Sequence, residues 1–172
     1  MSDKSYLSVY AKSFSWAGFF LPRETLKKCS VLYDFCRVAD NIADDKNEIE
    51  VKEKKFAEFE NDFNQKKFDN LIIKNMWGIM EEFDISIKIV QDLLAGIKSD
   101  IKERVELNSK KDLLIYSYRV AGTVGLMMAK ILNVTKKNSL KSAIDLGIAM
   151  QLTNISRDCL LYTSDAADDP TC

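Results

Sequence analysis

Between Pro22 and Pro170 this chain has no proline, and its 172 residues include only six glycines. Proline removes a backbone donor and clashes with the preceding turn, and glycine costs helix stability. A stretch so poor in both is free to be helical almost throughout. Its apolar residues recur at three- and four-residue intervals and show no two-residue alternation, which predicts helices and no strands. The expectation is an all-α fold, several helices with short links packed as a bundle.

The helices are predicted as follows. A short one covers about Ser5 to Lys12, followed by an aromatic-rich turn from Ser13 to Pro22 that contains Phe14, Trp16, Phe19 and Phe20. Pro22 suits the first turn of a second helix that runs to about Asp44. From Glu48 to Lys67 charges of both signs surround Val51, Phe56, Phe59 and Phe63, the pattern of an amphipathic surface helix. Further helices are expected over about Asn70 to Phe83, from a Ser86 cap through Lys102, over about Lys111 to Leu132, and over about Ser139 to Arg157.

Composition narrows the chemistry. There is no histidine, so the commonest general base and transition-metal ligand is missing. The net charge of −1 argues against an electrostatic grip on nucleic acid. No apolar run is long enough to span a membrane, the start is not a signal peptide, and Cys29, Cys36, Cys159 and Cys172 show no paired spacing. These point to a cytoplasmic protein with reduced thiols, whose membrane contact would be peripheral.

Two polar stripes stand out on segments that otherwise read as buried. The first is Tyr33, Arg37, Asp40 and Asp44; the second is Gln151, Asn154 and Asp158, with Arg157 beside it. Both use the spacing by which core helices present leucines. Asp40 and Asp44 are one turn apart, with Cβ atoms about 6 Å from each other, and like charges at that spacing repel unless a cation lies between them. Oxygen ligands without His or Cys favour Mg²⁺. Spacing alone leaves open that these are solvated surface acids. The segment around the second stripe, residues 143–155, is nearly all apolar, so its amides read either as a structural network or as ligand contacts. In a third segment, Tyr116 to Gly125, Ala121, Gly122 and Gly125 remove bulk from a helix. That allows close approach by another helix or by a ligand.

Together the segments resemble the squalene/phytoene synthase family. The matching residues are Lys12-Ser13-Phe14 with Leu21-Pro22; Leu32 through Asp44; Gly96 through Ile101; Tyr118 through Gly125; and Leu146 through Ile155 with Arg157-Asp158. They occur in the family's order and roughly its spacing. The resemblance implies an isoprenoid synthase fold, a helical bundle around a central cavity. It implies head-to-head condensation of two prenyl diphosphates through a cyclopropyl intermediate, with Mg²⁺, or Mn²⁺ in its place. Geranylgeranyl diphosphate going to phytoene is the leading expectation. Squalene, dehydrosqualene or hydroxysqualene synthesis from farnesyl diphosphate is the alternative, and a non-catalytic assembly-factor relative is a third reading. By position, Asp40 and Asp44 correspond to the first metal motif and Asp158 to the first acid of the second. Lys12, Ser13, Tyr33, Arg37, Gln151, Asn154 and Arg157 correspond to diphosphate or substrate contacts. Tyr118 is a candidate lining residue. Catalytic roles are expected of Asp40, Asp44, Asp158, Arg37 and Tyr33.

Two positions depart from the family pattern. Asn41 stands where a further Asp is frequent, and Tyr162 stands where the second motif has its next acid. The resemblance stops after Asp158, so residues 1–158 are expected to be the N-terminal part of the synthase domain. Residues 159–172 are expected to be a non-native or disordered tail, which would leave the fold incomplete at its C-terminus and the chain an inactive fragment.

Overall fold

The computed structural model describes residues 20–102 and 107–167, giving only the backbone course for residues 160–167. All regular structure among these residues is helical. In chain order it comprises α1 (Arg23–Ala43), α2 (Ile49–Asn64), α3 (Leu71–Glu82), α4 (Ile87–Ser99), α5 (Lys110–Ser117), a π turn (Tyr118–Gly122), α6 (Thr123–Ile131) and α7 (Lys137–Ala167). Among the described residues no helix is long and apolar enough to cross a membrane. The expected helix at residues 5–12 and the aromatic turn up to residue 19 lie outside the described residues.

Local chemistry sets the boundaries. Asn70 accepts from the backbone N–H of Ile72 at 3.0 Å, Ser86 from that of Lys88 at 3.3 Å, and Ser109 from that of Asp112 at 3.1 Å, each opening a helix. At the other ends, Lys66, Asp84 and Asn133 have φ of 55°, 49° and 60°, the left-handed conformation that terminates helices and that glycine usually fills.

Helix α1 lies in the middle, packed against α2, α3, α4 and α6. Its Leu32, Phe35 and Ala39 are fully buried. Phe35 packs against Phe59 and Phe63 of α2 with ring centroids 5.5 and 5.4 Å apart. Phe63 stacks on Trp77 of α3 at 5.4 Å, and the Trp77 indole donates to the Phe63 carbonyl at 3.0 Å. Burying side chains of this size contributes about 1.5–3 kcal/mol each.

The second half of the bundle depends on small residues. Gly96 of α4 meets the helix containing the π turn so closely that a Cβ would sit 2.8 Å from both Arg119 Cβ and Val120 Cγ1. Gly125 faces the carbonyl oxygen of Ala143, and Gly147 faces that of Ala121, so α7 touches both α6 and the π turn backbone to backbone. Of the two partners left open for the small-residue segment, another helix is the one observed.

Two elements differ from expectation. The single helix predicted over residues 111–132 is interrupted by the π turn. There the N–H of Thr123 bonds Tyr118 O, while the Thr123 hydroxyl takes the Arg119 carbonyl at 2.6 Å. The last helix passes Arg157 and runs to Ala167, because residues 159–167 contain neither glycine nor proline to stop it.

Candidate active site

The C-terminal ends of α1 and α4 meet, and each carries a carboxylate at its cap. Asp44 is the C-cap of α1, its N–H bonding Asp40 O at 2.8 Å. Asp100 is the C-cap of α4, its N–H bonding Ile97 O at 3.0 Å. A helix C-terminus already bears partial negative charge and is normally balanced by a cation. The last turn of α1 has no basic residue. The last turn of α4 has Lys98, but its ammonium is held by Glu60 of α2 at 3.1 Å. The local excess of negative charge is therefore left standing.

The carboxylates register it. Burial, then the charge of Asp44, pushes Asp40 up to about 6; Arg37 partly offsets this and Asp100 adds to it. Asp100 is likewise pushed up to about 6 by burial and by Asp44, with the neighbouring Tyr116 hydroxyl acting in the opposite direction. The Tyr116 phenol is driven well above its usual range by burial and by Asp100, Asp40 and Asp44. Burial and the charge of Asp40 also raise the Cys36 thiol, keeping it protonated. Asp45, one residue past the cap, behaves oppositely. Its carboxylate accepts from Lys55 at 2.8 Å and is held below its usual value.

The donor set suits a hard divalent cation. Every ligand on offer is oxygen, and Asp100 Oδ1 is buried without a hydrogen-bond partner. Among the described residues no three His, Cys, Asp or Glu side chains are grouped to hold a metal by themselves. Mg²⁺ does not require that, since it keeps several waters and binds through one or two carboxylates plus phosphate oxygens.

The structure brings Arg37, Asp40 and Asp44 together, with Tyr33 half-buried on the same helix. Asp100 and Tyr116 complete the cluster. Neither is among the site residues expected from the sequence, although Asp100 lies inside a segment that carries the family resemblance and Tyr116 next to one. Tyr118 faces elsewhere, toward Asp92 and Lys88 of α4. Lys12 and Ser13 lie outside the described residues.

The second stripe requires a correction. Its helix is not buried: Leu146 is 62% and Met150 51% exposed, Asn154, Arg157 and Asp158 are exposed, and Gln151 is half-buried. The reason is that the main neighbours of α7 are α5, the π turn and α6, which cover one side of it. The Asp158 carboxylate accepts from Arg157 at 3.0 Å, so these two charges pair with each other on the surface.

Comparison with known proteins agrees with this architecture. The chain is 32% identical over 164 residues to a 15-cis-phytoene synthase of Pantoea ananas, covering 88% of this chain and 53% of the relative. It is 30% identical to the chloroplastic phytoene synthase 1 of Solanum lycopersicum, covering 87% and 38%. A crystal structure of a dehydrosqualene synthase in complex with ligand superposes with a TM-score of 0.70 at 31% identity, covering 87% and 52%. A squalene synthase from Alicyclobacillus acidocaldarius shares the fold with a TM-score of 0.74 at 18% identity, covering 89% and 60%. The chain thus spans about half the length of several of these proteins. The sequence model of Squalene/phytoene synthase matches residues 7–162, nearly the whole chain, and it carries with it the acids at the end of α1, so the chain belongs to the squalene/phytoene synthase family.

Proposed function

We propose that this chain carries part of the site for Mg²⁺-dependent head-to-head condensation of two prenyl diphosphates, with geranylgeranyl diphosphate going to phytoene. One observation carries the reading: in a family whose relatives include phytoene synthases, the C-terminal ends of α1 and α4 bring Asp40, Asp44 and Asp100 close enough to act on one another's charge, with Arg37 beside them. Asp40 and Asp44 would hold the cation, and Mg²⁺ when bound supplies the Lewis acidity that neutralises a departing diphosphate. Arg37 places a fixed positive charge beside the same carboxylates, where a guanidinium fork suits phosphate oxygens. Tyr33, Gln151, Asn154 and Arg157 would complete the substrate contacts, and Asp158 would add an acid of the second metal motif. The allylic cation left behind must be kept from water, and the apolar and aromatic side chains of the bundle suit that requirement.

Farnesyl diphosphate as substrate is a second reading, favoured by the similarity to a dehydrosqualene synthase at 31% identity. The test is product identification after incubation with each diphosphate and Mg²⁺, using a protein that carries this segment and matches the relatives in length. Phytoene from geranylgeranyl diphosphate, lost on chelation, supports the proposal. A C30 product from farnesyl diphosphate transfers it to the second reading, and turnover without divalent cation removes the metal role.

A further inference from the structure

Between Asp112 and Asp145 the chain has no acidic residue, while Arg119, Lys130, Lys136, Lys137 and Lys141 all fall in that interval. The 25 basic and 26 acidic residues of the whole chain nearly cancel, so charge is segregated here. The fold gathers four of these five cations. Lys130 stands in the last turn of α6, and Lys136, Lys137 and Lys141 lie at the start of α7, at the end of the bundle where one helix turns into the other. Local bonds fix that link. The Val134 N–H bonds Ala129 O at 3.0 Å, Asn133 takes a φ of 60°, and the Leu140 N–H bonds Lys136 O at 3.0 Å. On this turn Leu132 is 41% exposed, and Lys136, Lys137 and Lys141 are exposed as well.

The fold makes no use of these three lysines. Elsewhere lysines commonly meet acids, as Lys55 meets Asp45 at 2.8 Å and Lys98 meets Glu60 at 3.1 Å. Lys130 is held from the α3–α4 link, donating to the Asp84 carbonyl at 2.5 Å and lying 3.8 Å from its carboxylate. Among the described residues no ion pair engages Lys136, Lys137 or Lys141, and the first turn of α7 has no acid. Cations at that end oppose the helix dipole, so helix stability does not account for them. Long side chains with free ammonium groups around an exposed leucine suit a surface that is anionic outside and apolar beneath.

We propose that the α6–α7 link is a docking surface for an anionic lipid bilayer, with Lys136, Lys137 and Lys141 against the headgroups and Leu132 entering the interface. Charge complementarity carries the choice of an anionic partner. Leu132 within the patch selects a lipid surface over nucleic acid or an acidic polypeptide, which offer no apolar layer. None of these residues belongs to the acid cluster of α1 and α4, so the inference stands apart from the proposed reaction.

The experiment floats the 172-residue chain on a density gradient with vesicles of phosphatidylcholine, alone or with about one-third phosphatidylserine, at about 0.1 M and about 0.5 M NaCl. Self-associated protein stays at the bottom and does not interfere. Wild type is expected to float with the anionic vesicles at low salt, to be released at high salt, and to stay behind with phosphatidylcholine alone. K136Q/K137Q/K141Q should weaken binding at least tenfold and L132S several-fold. K46Q/K54Q/K74Q, which removes the same charge from the α1–α2 link, α2 and α3, should stay within twofold of wild type, with helical circular dichroism unchanged in every variant. Failure of wild type to float, equal loss in the two triple variants, or equal binding to phosphatidylcholine alone would each overturn the inference. Anisotropy with labelled polyglutamate and duplex DNA tests the other partners: tighter binding to either than to anionic vesicles, indifferent to L132S, would overturn the lipid assignment.

Discussion

At the scale of single residues, the acids at the end of α1 set function against stability. Asp40 faces Arg37 and Cys36 on its own helix, Asp44 at the cap, and Asp100 and Tyr116 from α4 and α5. A carboxylate whose folded value stands near 6, above its unfolded value, binds protons more tightly when folded. Its ionisation therefore costs stability above about pH 6, and that cost disappears as pH falls toward 4. The amide of D40N mimics the protonated form. Urea unfolding without divalent cation should find D40N more stable than wild type at pH 7.5, with the gap narrowing below pH 6 and closing toward pH 4. In a protein of the relatives' length the same substitution should abolish turnover nearly completely. A D40N variant no more stable at pH 7.5 would show that burial and repulsion do not penalise the ionised Asp40. The spacing of Asp40 and Asp44 made this pair legible in the sequence, because both sit on one helix where periodicity fixes the face. Asp100 was not, since Asp40 and Asp44, the acids it meets, lie 60 and 56 residues away in sequence. The choice between Tyr116 and Tyr118 depends on how α5 rotates against α4, which a single helix pattern does not encode. A smaller residue-scale expectation concerns Ser117, fully buried with no partner for its hydroxyl. Ser117→Ala should raise stability by about 1 kcal/mol, read from the denaturation midpoint, by removing a desolvated polar group.

At the scale of elements, glycines distinguish a helix that must approach its neighbour from one that merely tolerates the residue. Gly125 of α6 lies against the Ala143 carbonyl of α7, and Gly147 of α7 against the Ala121 carbonyl of the π turn, where nothing flexible can yield. Gly147→Ala should therefore push α7 away from the π turn and cost about 1–3 kcal/mol, despite the better helix propensity of alanine. Gly78 on α3 is the control, exposed and with nothing within 4 Å of a built Cβ. Gly78→Ala should stabilise by ~0.5–1 kcal/mol. Thermal midpoints moving in opposite directions for the two substitutions would establish the distinction, and a stabilised Gly147→Ala would contradict the observed packing. Helix positions were largely readable because apolar spacing, Asn70, Ser86 and the lack of proline all agreed. The links were less so, because Lys66, Asp84 and Asn133 fill left-handed positions where a glycine would have announced the stop. The π turn has no such marker; Arg119 and Val120 within it pack closely against Gly96, and its Gly122 against Ile144 and Ile148.

At the scale of the whole molecule, the burial of α7 is where pattern reading and packing part. A segment that is apolar nearly all round reads as buried on every side. In this chain the neighbours of α7 cover one side, and Leu146 and Met150, one turn apart, face outward at 62% and 51% exposure. Leu114 and Ile115 on α5 are 50% and 40% exposed as well. Exposed apolar side chains such as these favour association, whether with further polypeptide or with another copy. The near-neutral net charge of −1 gives little long-range repulsion to oppose it. The 172-residue chain alone should consequently self-associate at micromolar concentration and bind a hydrophobic dye such as ANS. The double variant L146K/M150K should remain dispersed and bind less dye. Because both positions are already exposed, their replacement removes little buried contact, and the thermal midpoint should stay within a few degrees of wild type. Sedimentation velocity separates the possibilities: a monodisperse wild-type monomer at these concentrations would mean the outer side of α7 is tolerated by water. Unchanged association in the double variant would place the adhesive surface elsewhere, with α5 the next surface to alter.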